Sequence, residues 1–239
     1  MILRKIILQA ICFLIVLSIP FVQSANAAQD DTKPATRMTP KLLWELGRLG
    51  EAVISTDGTQ VAYIVRRYEL EKDKGASELH LLSIATGDDK LVLEKWPSIG
   101  SLHWMPTESG ELLFFEGTKA ALETGEDDKA EDAEEPTNQA YSMDPKTAKV
   151  VQLTDVEDGI ANLKVSNGGK KLAFTLDIKM DQEPNELYPD LPKADARIID
   201  QLMYRHWNAW HDYKYSHLHV ASIGPDGVAG TPIDLMEGL

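Results

Sequence analysis

The chain has 239 residues, 43% of them hydrophobic, and a formal charge of −14 from 38 acidic against 24 basic side chains. This length and apolar content suffice for one large domain or two small ones. The acidic balance argues against a nucleic-acid surface, which needs clustered Lys and Arg to displace counterions.

Residues 1–28 read as a secretory signal helix. Arg4 and Lys5 are its positive start, Ile6 to Val22 is apolar apart from Gln9, Ser18 and Pro20, and Ser24-Ala25-Asn26-Ala27-Ala28 has small residues at the spacing a signal peptidase accepts. The expected cut follows Ala27 or Ala28. The competing reading is an uncleaved anchor, because the segment is long enough to span a bilayer if Gln9 and Pro20 are tolerated. No later stretch is apolar enough to cross. The one cysteine, Cys12, lies inside the signal, which leaves a mature chain without thiol or disulfide. Export without disulfides fits a bacterial periplasm.

Residues 29–50 form a polar lead-in and a short helix over Thr39–Gly47. Thr39 caps it, Pro40 sits where a missing N–H costs nothing, and Gly47 ends it. From there the chain repeats one local pattern. Ala52–Val65, AVISTDGTQVAYIV, reads as strand, tight turn, strand, because Asp57-Gly58 supplies positive φ without steric cost. Leu102–Phe115 turns at Ser109-Gly110, and Ala161–Leu176 at Asn167-Gly168-Gly169. Gly58, Gly110 and Gly169 lie 52 and 59 residues apart (110 − 58 and 169 − 110). Third strands are predicted at Glu78–Ile84, Gln139–Met143 and His217–Ile223. Fourth strands are predicted at Lys90–Leu93, Val150–Leu153 and Thr231–Leu235. Four strands per repeat is the propeller-blade unit; the competing reading is a meander of unrelated hairpins.

The expected fold is therefore all-β. It is a partial β-propeller of about three four-stranded blades, with a helical insertion in the third blade and the N-terminal signal helix. Blade 1 spans 51–98, blade 2 spans 99–158 and blade 3 spans 159–239. Blade 2 is interrupted at 120–138 by an acidic run (Glu123, Glu126, Asp127, Asp128, Glu131, Asp132, Glu134, Glu135), predicted to be a solvated loop. A calcium site there lacks the DxDxDG spacing. Blade 3 is interrupted at 177–215. Pro184, Pro189 and Pro192 break its first part. Ile198, Ile199, Leu202, Met203 and Trp207 are spaced for one face of a helix over Ala194–Trp210.

That insertion resembles a known group. MTPKLLWELGRLGEAVISTDGTQVAYIV is similar to the start of the mature region in secreted peptidases of the prolyl oligopeptidase family. The closest likeness is to bacterial dipeptidyl and acylaminoacyl peptidases. YPDLPKADARIIDQLMYRHWNAW, followed by Ser216-His217-Leu218, resembles their third-blade insertion and is the more specific match. The resemblance implies an N-terminal propeller beside a C-terminal α/β-hydrolase domain that carries a Ser-Asp-His triad on a GxSxG elbow. No GxSxG occurs in these 239 residues, so no catalytic residue is assigned. The chain is expected to be a fragment, inactive alone. The expected partners are a peptide substrate and that hydrolase domain, with no nucleic acid, no membrane after signal cleavage and no cofactor. The alternative function is a non-enzymatic periplasmic propeller-type binding module.

Two clusters are candidate sites. Tyr204, Arg205, Trp207, Trp210, Tyr213 and Tyr215 are the richest aromatic stretch, and Tyr204, Arg205 and Trp210 are the substrate-contact candidates within it. The bland alternative is that the cluster fastens the insertion to blade 3, with Trp207 buried by helical spacing. His206, His211, His217 and His219 cluster in sequence; His217 and His219 share a strand face, as zinc ligands can, with Asp212 a possible third. No HExxH is present, so the expectation is no metal, with packing histidines in its place.

Overall fold

The computed structural model describes residues 37–107, 110–118, 137–193, 196–199, 202, 205–224, 227 and 229–238, with no side chain for His206. The expected signal, 1–28, lies outside these residues, as do Tyr204 and all of the acidic run up to residue 136.

A short helix, α1 (Pro40–Glu45), leads into three four-stranded antiparallel sheets. The first contains β1 (Arg48–Ile54), β2 (Gln60–Glu69), β3 (Lys74–Ser83) and β4 (Asp89–Trp96). The second contains β5 (Ser98–Thr107), β6 (Gly110–Thr118), β7 (Gln139–Met143) and β8 (Val150–Gln152). The third contains β9 (Ala161–Val165), β10 (Lys171–Lys179), β13 (Lys214–Ser222) and β14 (Ile233–Asp234). Each strand pairs only with its neighbours in sheet order, so each sheet is an up-and-down meander. Three such sheets in series are propeller blades, and the fold is a partial β-propeller.

The first turn of a blade is a local side-chain device. Ser55 N donates to the Gln60 carbonyl, and Gln60 N returns a bond to Ser55 Oγ, both at 2.9 Å. Gly58 takes φ +72° between them. Ser166 and Lys171 repeat the same pair of bonds at 2.9 and 3.0 Å. The turn between third and fourth strands is equally local. Ser83 N donates to the Asp88 carbonyl with Gly87 at φ +73°, and Asp144 N donates to the Lys149 carbonyl with Ala148 at φ +56°.

Packing between blades is apolar. Ala62, Ile64, Leu79 and Leu81 of blade 1 meet Trp104, Leu113, Phe115 and Tyr141 of blade 2 in one buried cluster. Phe114 and Ala140, one residue along, point the other way and meet Leu163, Leu172 and Phe174 of blade 3. All five residues of β7 are buried, because this strand has a neighbour on both faces.

The first strands sit side by side, β1 by β5 and β5 by β9, and each carries a register shift. A bulge frees backbone donors from the ladder, and the neighbouring blade supplies acceptors. Leu102 N donates to Glu51 Oε2 at 3.1 Å, and Leu163 N to Glu116 Oε2 at 3.0 Å. Trp104 Nε1 donates to the Val53 carbonyl at 3.2 Å. The pairs Glu51–Leu102 and Val53–Trp104 keep one offset, so β1 and β5 run parallel.

The insertion departs from expectation. No helix runs through 196–199 or 205–210. A single helical turn, α2 (Pro184–Leu187), is followed by a two-stranded hairpin of β11 (Arg205–His206) and β12 (Ala209–Trp210). Trp207 stands at the hairpin tip with φ +52° and is 90% exposed, so it is not the buried residue that helical spacing implied. The spacing of Ile198, Ile199, Leu202 and Trp207 matched a helix, but all four are exposed. With no core to face, periodicity alone does not hold a helix.

Candidate functional site: one end of the blades

An up-and-down meander sends its connections alternately to two ends. One end carries the connections 55–59, 84–88, 144–149 and 166–170 and the described residues of 223–232. The other carries α1, the connection 70–73, residues 137–138, the described residues of 180–213, and the links 97 and 153–160 between blades. The longest connection that contains described residues, 180–213, leaves and re-enters the sheet at this second end. Cross-links confirm the grouping: Arg66 Nη1 donates to the Pro97 carbonyl at 3.1 Å, and Lys214 Nζ to Asp158 at 2.7 Å. Loops held by a rigid sheet scaffold are where binding residues concentrate.

On blade 3, Arg205 and Trp210 are brought together as cross-strand partners in the hairpin. The guanidinium carbons of Arg205 and Arg197 each lie 5.2 Å from the Trp210 ring centre, within cation–π range. Below the hairpin, the His211 ring lies 5.0 Å from Tyr215 and 5.9 Å from Tyr213. The Tyr215 hydroxyl donates to Asp181 at 2.8 Å, and that bond pushes the phenol up from its ordinary pKa. His211 Nε2 stands 3.9 Å from Asp181 Oδ2, beyond hydrogen-bond reach.

His217 and His219 do share a face of β13, and both are buried. Each is engaged within the blade. His217 Nδ1 pairs with Asp234 Oδ2 at 2.7 Å, which holds the Asp234 carboxyl below the usual carboxylate range. His219 Nδ1 donates to the His217 carbonyl at 3.1 Å, and its ring stacks on Phe174. Among the described residues no three His, Cys, Asp or Glu side chains converge on one point, and Asp212 hydrogen-bonds Lys214 N.

A cluster on blade 1 was not singled out by sequence. The Arg48 guanidinium lies 4.8 Å from the Trp44 ring centre and 4.5 Å from that of Tyr68. Trp44 and Tyr68 meet edge to face at 5.4 Å. Arg66 Nε donates to the Tyr68 hydroxyl at 3.2 Å, and this bond, with the charges of Arg66 and Arg48, lowers the phenol's pKa. The available signal was Trp44 and Arg48 four residues apart around Gly47, beside the Arg66-Arg67-Tyr68 run that ends β2.

No protein-family model matches the chain. Its fold is that of the blades in acylaminoacyl peptidase. The Pyrococcus horikoshii enzyme superposes over 81% of this chain and 26% of its own, with a TM-score of 0.54 at 14% identity. A structure of acylaminoacyl peptidase in complex with Z-Gly-Gly-Phe-chloromethyl ketone gives a TM-score of 0.53 at 14% identity, over 81% of this chain and 26% of its own.

The homologues are dipeptidyl-peptidases 5. That of Porphyromonas endodontalis is 28% identical over 87% of this chain and 27% of its own length. That of Porphyromonas gingivalis is 28% identical over 87% of this chain and 28% of its own. The Aspergillus fumigatus protein is 27% identical over 74% of this chain and 23% of its own. The chain thus spans about a quarter of the length of these curated relatives. It is similar to a part of each of these peptidases, and its blades have the propeller fold.

Proposed function

We propose that these blades are the access-controlling part of an exported serine peptidase of the prolyl oligopeptidase type that acts on short peptides. In this reading the elaborated end faces a C-terminal α/β-hydrolase domain, and the blades admit short peptides to it. The hydrolase domain supplies the Ser-Asp-His triad; acyl transfer to serine passes through a tetrahedral intermediate held by an oxyanion hole. The observation that carries the reading is the pair of Arg–aromatic clusters at one end of blades whose homologues are dipeptidyl-peptidases. Residues 1–28 direct export to the periplasm and are removed there.

A direct test assays the purified chain with a dipeptide chromogenic substrate. No hydrolysis is expected, and activity abolished by a serine-directed inhibitor would place the nucleophile within these residues and overturn the reading. A coding sequence beyond codon 239 that contains GxSxG supports it, and a stop codon there opposes it. Export is tested by sequencing the N-terminus of protein from the periplasmic fraction, with Ala28 or Gln29 expected first.

A further inference from the structure

We propose that Arg48, Arg66 and Tyr68 form a carboxylate-binding cradle on blade 1, and that it takes a carboxylate of a short peptide. The choice of a peptide rests on the function proposed above; the choice of a carboxylate rests on the cluster itself. Two guanidinium carbons lie within 5.5 Å of a single ring, 4.5 Å for Arg48 and 5.5 Å for Arg66. Two cations gathered around one ring add their fields and favour an anion beside them. Yet neither arginine has a carboxylate partner among the described residues, in a chain with 38 acidic side chains. Arg67, the next residue on β2, shows the ordinary outcome: its Nε lies 3.0 and 2.9 Å from the two oxygens of Glu78.

The cluster is also preorganised. Arg66 Nη1 is anchored on the Pro97 carbonyl, and its Nε on Tyr68. The exposed Arg48 is steadied by the two aromatic rings of Trp44 and Tyr68. Gly75 makes room for this arrangement, since a Cβ there would stand 2.9 Å from the Tyr68 ring and 3.0 Å from Arg66 Nη2. Beside it, Trp44, Tyr68 and Leu70 wall a hollow of about 60 Å³. The charged groups at that hollow are Glu69, Asp73 and Lys74, and Glu69 is taken by Lys72 at 3.0 Å. Fixed guanidinium N–H groups beside a phenol hydroxyl suit a planar carboxylate, which accepts several charge-assisted hydrogen bonds at once.

The carboxylate can come from a peptide C-terminus or from an acidic side chain. The experiment titrates the isotope-labelled chain with three peptides and follows backbone amide shifts by NMR. They are Ala-Ala-Phe, its C-terminal amide, and N-acetyl-Ala-Glu-Ala-amide. Saturable shifts at Tyr68 and Gly75 are expected with Ala-Ala-Phe, with the Glu peptide or with both, and none with the neutral-ended amide. The responding peptide identifies the source. Arg48→Gln should weaken the response about tenfold, the loss of a charge-assisted contact, while Arg48→Lys retains part of it. An arginine that only fastens α1 to β2 would move the unfolding transition and leave no anion response to lose. Failure of both carboxylate peptides to shift these amides, an equal response to the amide, or undiminished binding by Arg48→Gln overturns the proposal. Shifts confined to residues 205–215 would overturn the cradle and leave peptide handling by the blades intact. If Arg48→Gln does not fold, Arg48→Lys decides: affinity unchanged from the parent chain, with no preference for carboxylate over amide, counts against the cradle.

Discussion

The two ends of the blades are built by different rules. At one end the first turns of blades 1 and 3 are closed by their own residues, as Ser55, Asp57 and Gln60 close that of blade 1, although Ala229 N, after β13, reaches the Leu153 carbonyl at 2.7 Å. At the other, residues far apart in sequence hold the connections together, as Arg66 holds Pro97 and Lys214 holds Asp158. Turns that satisfy themselves need no ligand and leave little surface to vary. Connections held by distant partners can lengthen, and they carry the exposed arginines and aromatics. On the function proposed above, this second end is the working surface.

Substitutions at both ends put numbers on that difference. The largest effect is expected at Gly159, in the link between blades 2 and 3. Its φ is +76°, and a Cβ would stand 2.8 Å from Thr137 Cβ and 2.9 Å from the Asn138 carbonyl. Gly159→Ala combines left-handed strain with a backbone clash and should cost about 3 kcal/mol in urea unfolding. Gly58, at the self-contained end, has φ +72° and nothing within 4 Å of the added carbon. Gly58→Ala should cost about 1–2 kcal/mol, the strain alone. Equal losses at the two sites would erase the distinction between local and distant closure.

Ala148 tests the local rule in reverse. It holds φ +56° where the equivalent turn of blade 1 has Gly87. Ala148→Gly should stabilise the chain by about 1 kcal/mol, read as a raised urea midpoint. Trp207, at the other end, has a comparable φ of +52° but is 90% exposed. Trp207→Asn should leave stability within about 0.5 kcal/mol, because Asn tolerates this region and little packing is lost. A large loss would mean that the tip is a structural anchor.

The smallest effect is electrostatic. Bonds from Ser55 and then Thr59 hold the Asp57 carboxyl below its ordinary pKa. A carboxyl with a depressed folded-state pKa stabilises the fold above the ordinary carboxylate range. That contribution fades as pH falls through the lowered value. The same sign applies to Asp234, held down first by His217. Asp57→Asn should therefore lower stability slightly near neutrality and flatten the acid limb of the stability–pH curve, so that the difference from the parent chain vanishes at low pH.

Much of this architecture was legible from residue order, because the turns are local. Ser55–Gly58, Asn167–Gly169 and the recurrence of turn glycines at Gly58, Gly110 and Gly169 announce hairpins without help from elsewhere. The carboxylate clips were not legible, since Glu51 and Leu102, or Glu116 and Leu163, meet only after the blades stack. The insertion was misread for a related reason. Ile198, Ile199, Leu202 and Trp207 have helical spacing, but spacing reports a helix only when the stripe has a core to enter, and here these residues are exposed. Arg205 and Trp210 were expected at the site and do meet, across a hairpin. His217 and His219 share a face, as alternation requires, and are bound into the blade. Arg48 escaped notice because its importance lies in a missing counter-charge, which no sequence pattern displays.

Hydrogen exchange with and without a short peptide bearing a free carboxylate tests the working surface most directly. Slowed exchange is expected at 69–75, 97–98 and 205–214, with no change at 55–60, 84–89 and 144–149. Protection confined to those three turns would contradict the assignment and place the binding surface at the opposite end of the blades.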